Sequence, residues 1–493
     1  MKKIYRISAA LLAATVAFSA GAVLVGCGDE TGGADVTAAP EVTDIAETAA
    51  EPETTAMTEP ELPPADFEGY EFRFVLQNDG YGEWKGRELG EGEQTGDTLN
   101  DALYERDLKV SELYSVSLKP LFTGDLVRLL KNTVTAGDNA CDALFIQAPQ
   151  LTSPAMNGLL FDIKQLPGLD LENPWWDAYA AKTLSIGGRL FFTYGDMNIC
   201  DKDLTWLVMF NKKIAESYGV GNLYAEVADG KWTFDLFRGK CAGVYNDLNG
   251  DGVVNDDDLF GLVTPYDRTM LAFLYSCGVE TIKKDDGDLP VYAMDSPKLA
   301  EVFSRVLSLY FDGGCALDVM RVSGYWRRTE TMFSSNQILF YVECMQNVER
   351  MRAMQDDFGI LPVPKYDEAQ GEYINMVCDF ATAVCVPASA PDPDRTGAVL
   401  EAMNAYSKML VMPAYYEVSL KTKYARDNDS AEMIDLIFGR RYFDLAYIYQ
   451  WGGSIGAVMK LAGKGDENVV SKLESLREKT ETAIQKTVEA YIG

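Results

Sequence analysis

From Tyr70 onward the chain alternates strands with helices, and this alternation narrows the possible folds more than any other feature. Tyr70, Phe72, Phe74 and Leu76 alternate with Glu71 and Arg73, the two-residue period of a strand. Thr98-Leu99-Asn100-Asp101 resembles a capping box and predicts a helix with Leu99, Leu103, Val110 and Leu113 on one side. Val116–Leu118 reads as a second strand, Leu126–Val134 as a helix, and Asp142–Ile146 as a buried strand followed by a short helix to Asn157. A second block repeats the pattern, with strands at Leu204–Phe210, Ile338–Glu343 and Phe358–Val363. Ser296-Pro297 supplies an N-cap followed by proline at the first helical position. Parallel strands need long crossover connections, which helices provide. The expected class is therefore α/β, with mainly parallel sheets covered on both faces. Val469, Leu473, Leu476, Ile484 and Val488 recur at helical spacing and predict a last helix docked on the folded body.

The folded part is preceded by a different kind of sequence. Lys2, Lys3 and Arg6 form a basic start, and about Ser8–Val25 is apolar or small. The run ends in Leu24-Val25-Gly26-Cys27, which looks like a bacterial lipobox. In that reading residues 1–26 are a lipoprotein signal peptide, and Cys27 receives a diacylglycerol and becomes the N-terminus. An ordinary secretory signal or an uncleaved membrane helix is the alternative, since so long an apolar run reaches across a bilayer. Residues 28–66 carry eleven acidic side chains and no Lys or Arg. Such a segment buries too little apolar surface to offset its ordering entropy, so 27–66 is expected to be a disordered acidic tether. Two acyl chains make such an anchoring stable. The expected location is the cell membrane, lipid-anchored, facing the exterior.

The chain contains no His, which removes Ser-His-Asp and Cys-His catalysis and His-based zinc sites. The net charge of −31 argues against nucleic acid and anionic lipid as partners. Eight cysteines remain beyond Cys27, none in a C-x-x-C pair. Their even number permits disulfides outside the cell, but their apolar surroundings, as in Phe380-Ala-Thr-Ala-Val-Cys385-Val, favour buried free thiols.

Residues 247–258 read Asp-Leu-Asn-Gly-Asp-Gly-Val-Val-Asn-Asp-Asp-Asp. This fits the EF-hand loop, with Asp247, Asn249, Asp251, the Val253 carbonyl, Asn255 and Asp258 as ligands and Gly252 at the sharp turn. Hard oxygen donors suit calcium, and a structural calcium ion is the expected cofactor. Asp258 stands where an EF-hand has Glu, which makes the loop resemble one dockerin repeat. A dockerin needs two, and only one is present. An acidic turn without metal is the alternative.

Seven segments in order, spanning almost all of 67–493, resemble the family 1 extracellular solute-binding proteins, the maltose-binding-protein-like receptors of ATP-driven importers. They are Asp101-Ala-Leu-Tyr-Glu-Arg106, Asn173-Pro-Trp-Trp-Asp177, Gly195-Asp-Met-Asn198, Thr205-Trp-Leu-Val-Met-Phe-Asn-Lys212, Lys231-Trp-Thr-Phe234, Phe358-Gly-Ile-Leu-Pro-Val-Pro-Lys365 and Met412-Pro-Ala-Tyr-Tyr416. The resemblance implies a periplasmic-binding-protein-like fold, two α/β lobes joined by crossing strands with a ligand cleft between them. It implies lobe 1 at 67–196, continued at about 378–410, lobe 2 at 197–377, and C-terminal helices at 411–493 packed on both. Crossings are implied near 193–203 and 375–382.

It also implies a function: capture of a small solute, a carbohydrate above all, for a membrane ABC permease by a monomeric receptor. Sugar binding needs flat aromatic faces against C–H patches and acids that accept hydroxyl hydrogens. The segments the family places near its cleft supply Trp206, Trp326, Glu343, Asp379, Tyr415, Tyr416, Trp451 and Trp176. Each has a plainer reading: the tryptophans and tyrosines as packing, and Glu343 with Asp379 as a buried pair that locks the hinge. No covalent chemistry is required. A cell-surface glycan-binding protein without a transporter and a secreted glycoside hydrolase are the alternatives, the latter needing two carboxyl groups at a set separation.

Overall fold

The computed structural model describes residues 59–77, 86–322, 324–420 and 428–493. The signal segment, Cys27 and residues 28–58 of the acidic tether lie outside these residues. Among the described residues no helix is long and apolar enough to cross a membrane.

Two sheets organise the fold, and each has the same plan. The first runs Val116–Thr123, Tyr70–Gln77, Ala143–Gln147, Thr382–Cys385 and Phe192–Thr193 in spatial order. Its first three strands are parallel, and Thr382–Cys385 runs antiparallel to both its neighbours. The second runs Ala316–Asp318, Leu259–Thr264, Ile338–Cys344, Trp206–Asn211 and Phe358–Leu361. Here too the first three are parallel, and Trp206–Asn211 is reversed against both neighbours. In each sheet the reversed strand arrives from the other half of the chain. This exchange makes two lobes and two crossings: Thr193 to Trp206 outward, and Leu361 to Thr382 back.

Local chemistry sets the elements. Asn211 caps the helix Lys212–Ser217 by accepting the Ile214 amide at 3.0 Å. Ser296 caps Pro297–Phe311 through the Leu299 amide, as its sequence predicts. The helix Thr98–Tyr114 is capped one residue earlier than the apparent box, by Asp97, whose carboxylate takes the Asn100 amide at 2.9 Å. The extended run expected over Tyr373–Val386 is interrupted. Asn375–Met376 pairs with Arg441–Tyr442, and only Thr382–Cys385 joins the first sheet. Gly195, at the outward crossing, is a close approach: a Cβ there would lie 2.1 Å from Asn404 Oδ1 on the helix Pro393–Tyr406.

That helix continues through a π-type turn at Ser407–Val411 into Met412–Leu420. It carries lobe 1 packing at one end and Tyr415 at the other. The last helix, Val469–Ile492, touches both halves: Tyr491 packs edge-on against Phe191, with centroids 4.7 Å apart, and Arg477 pairs with Asp295 at 2.8 Å. All eight described cysteines are buried and unpaired.

Candidate functional site

In open α/β sheets ligands sit outside the carboxyl ends of the strands, where the chain changes direction. In this molecule those ends meet around the returning crossing, Cys378–Ala381. The crossing is stitched to lobe 1: the Ala381 carbonyl accepts the Ala148 amide at 3.3 Å and the Tyr194 hydroxyl at 3.2 Å. The strand Leu259–Thr264 of the second sheet leads into Arg268, whose guanidinium lies 5.2 Å from the centroid of the Phe380 ring. Phe380 is 40% exposed, a large apolar face left open on an otherwise buried connection.

Two expected site residues come together beside Arg268. Asp379 accepts the Tyr447 hydroxyl, and burial raises its carboxyl while Tyr447 and Arg268 pull it down. Glu343 ends the strand Ile338–Cys344 with Oε1 on the Cys344 amide at 3.0 Å and Oε2 without a partner. Burial pushes Glu343 up to about 7, against the Cys344 amide and the charges of Arg268 and Arg350. Glu88 does the same from lobe 1. It accepts the Thr382 hydroxyl at 2.9 Å, and burial pushes it up to about 7.

A second group closes the neighbouring edge. Arg87 of lobe 1 donates to Asp203 at 2.5 Å, Tyr415 donates its hydroxyl to the same carboxylate at 2.9 Å, and Glu349 of lobe 2 faces Arg87 at 3.8 Å. The space left among Arg87, Asp203, Gln346, Glu349 and Tyr415 is about 10 Å³, room for one water at most. Behind it, the outward crossing is pinned by buried charges. Arg441 bridges Asp201 and Asp177, and Lys202 donates to the Gly195 carbonyl at 2.6 Å.

The remaining expected residues are spread through the fold. Trp206 is 1% exposed at the start of its strand, opposite Cys344, with its Nε1 unpartnered. Trp176 belongs to the lobe 1 core: its indole donates to Glu401 at 2.8 Å, and Trp175 and Asn173 donate to the same carboxylate at 2.9 and 2.6 Å. Trp451 is 3% exposed, stacked on Tyr449 and donating to Thr487 at 2.9 Å. Tyr416 is half-buried and stacks on Phe438. Trp326 stands in the helix Tyr325–Ser334, but its side chain lies outside the described residues. Sequence reasoning missed Arg268, Phe380, Glu88, Arg87 and Tyr447. The signal for Phe380 was its place directly after Asp379 on the implied crossing.

No protein-family model matches the chain, and no curated protein matches it either. Solved structures do match. M. tuberculosis UspC superposes with a TM-score of 0.56 at 14% identity, over 84% of this chain and all of that one. The fold is that of the periplasmic binding proteins. A cyclo/maltodextrin-binding protein solved with maltotetraose gives 0.55 at 14% identity, covering 84% of this chain and 97% of its own. An ABC substrate-binding protein from Listeria monocytogenes, in complex with cycloalternan, gives 0.54 at 13% identity over 85% and 99%.

The calcium-like loop is a hairpin connection. It joins Tyr245–Asn246 to Leu259–Thr264, which pair antiparallel. Among the described residues no three His, Cys, Asp or Glu side chains are gathered to hold a metal. In the loop, Asp247 and Asp251 bond backbone amides instead.

Proposed function

We propose that this chain is the solute receptor of an ATP-driven importer, held outside the cell by a lipid on Cys27, and that it captures a carbohydrate by closing its lobes. The observation that carries this reading is the exposed Phe380 ring beside Arg268, Asp379 and Glu343, at the junction of two sheets. An aromatic face covers the C–H side of a sugar ring, and acids and a guanidinium meet its hydroxyls. Contacts from both lobes favour the closed state, so solute binding drives closure. The neighbours solved with maltotetraose and cycloalternan support a saccharide as the first class to try.

The receptor needs no covalent step, and we propose that it is not an enzyme and acts as a monomer delivering to an ABC permease. Isothermal titration with a panel of mono- and oligosaccharides tests the reading. Saturable one-to-one binding is expected for at least one sugar. Absence of binding across sugars, polyols and peptides overturns it. Release of reducing ends by the wild type, lost in Glu343→Gln, would make the protein a hydrolase instead.

A further inference from the structure

Residues 247–258 form a twelve-residue hairpin loop with five aspartates. Hairpin loops are usually two to five residues long, and clustered carboxylates repel, so this loop needs a source of positive charge. Arg328 supplies part of it. Its guanidinium binds Asp256 at 2.6 Å and Asp257 at 2.8 Å. These are loop positions 10 and 11, which the EF-hand pattern does not use as ligands. Asp247, Asp251 and Asp258, at ligand positions 1, 5 and 12, make no ion pair among the described residues. The loop thus pairs its non-ligating acids with a cation and leaves the ligating ones with hydrogen-bond donors alone.

Asp258 provides the independent observation. It is 0% exposed, and its carboxylate turns back into the loop, with Oδ2 accepting the Asn255 amide at 3.1 Å and the Tyr245 hydroxyl at 3.0 Å. Its Oδ1 has no hydrogen-bond partner. A buried carboxylate oxygen without a partner requires an explanation, and a bound cation is one. The backbone is already curled around the same place. Gly250 and Gly252 are left-handed, at φ 72° and 71°, and both donate their amides to Asp247, at 2.7 and 2.8 Å.

We infer that this loop is a calcium site, with Asp247, Asn249, Asp251, the Val253 carbonyl, Asn255 and Asp258 as its ligands, and that the ion fastens the amino ends of the strands feeding the cleft. Gln337, just before the strand Ile338–Cys344, donates to the carbonyls of Asp256 and Asp258, each at 3.3 Å. That strand ends in Glu343, and the strand leaving the loop leads to Arg268. The ion sits at the opposite end of both strands from the solute, so it stiffens lobe 2 without touching the ligand. The inference does not depend on the solute reading.

The test is calorimetric titration of calcium chloride into the chelator-treated full chain, with melting curves in calcium, in magnesium and in EDTA. One calcium per chain is expected, with a dissociation constant of about 1 mM or tighter, the range of extracellular calcium modules. The melting temperature is expected to rise by several degrees in calcium and little in magnesium. Asp251→Ala changes an exposed ligand, so its melting curve in EDTA should match the wild type while its calcium response is lost. Asp258→Asn, at the buried ligand, should also lose the response if it folds. The inference is overturned by no saturable heat up to about 10 mM calcium, or by an undiminished calcium response in Asp251→Ala.

Discussion

Arg268 and Phe380 face each other across the junction of the lobes, the guanidinium 5.2 Å from the ring centroid. One follows a strand of the second sheet; the other lies on the segment returning to the first. Among the described residues Arg268 makes no ion pair, and its Nε is buried without a partner. The ring is thus held by a cation on one side and open to solvent on the other, with guanidinium donors still available.

Phe380→Ala should therefore weaken solute binding about tenfold to a hundredfold, from lost stacking and apolar contact. Stability should fall by about 1 kcal/mol, less than for a core phenylalanine, because the residue is 40% exposed. Titration calorimetry and melting of the same sample separate the two effects. A variant that melts far earlier would make Phe380 a structural residue.

Arg87→Met leaves Asp203 buried without its cation, and should cost about 3 kcal/mol of stability. Glu349→Gln removes the exposed side of the same arrangement and should cost under about 1 kcal/mol. Denaturant unfolding of both variants measures the contrast. Equal effects would show that the contact between the lobes, rather than the Arg87–Asp203 pair, bears the load.

Glu88 and Glu343 have folded-state values near 7, raised by burial from an ordinary 4.5. Between those values the folded chain holds protons that the unfolded chain has released. Stability therefore falls as pH rises from about 4.5 to about 7, by at most about 1.4 kcal/mol per pH unit for each group. Melting temperatures across this window should fall with pH in the wild type and fall less in Glu88→Gln/Glu343→Gln. An unchanged slope in the double variant would assign the dependence to other buried acids.

Glu401 gathers the indole N–H groups of Trp175 and Trp176 and the Asn173 amide. Glu401→Ala leaves these donors unpaired and should cost about 2–4 kcal/mol. Glu401→Gln keeps one acceptor oxygen and should recover part of that. Urea unfolding of the two variants checks the order.

Cys27→Ala should move the protein from the detergent phase to the aqueous phase on fractionation of expressing cells, since the proposed anchor depends on that sulfur. Unchanged partition would mean that the apolar segment itself holds the membrane.

Much of the architecture was legible because it rests on short-range patterns. The Asn211 and Ser296 caps act on amides three residues away, and the alternation of Tyr70 to Leu76 reads directly as a strand. The returning segment joins the first sheet at Thr382, and Glu343 and Asp379 both feel the charge of Arg268. The aromatics were not legible in the same way. An indole presents the same apolar area whether it packs in a core or faces a sugar, so nothing local separates Trp176 or Trp451 from Phe380.

The sequence by itself determined the class of fold, the pairing of a charged start with an acidic spacer, and the oxygen-rich loop at 247–258, because each is written within a dozen or so residues. Only the tertiary structure decided which charges meet. Arg87 finds Asp203 across 116 positions and Glu88 finds Thr382 across 294. Such contacts are set by the exchange of strands between two sheets, which no local periodicity encodes. The cleft residues come from strand ends that are distant in the chain and become neighbours only when both sheets have formed.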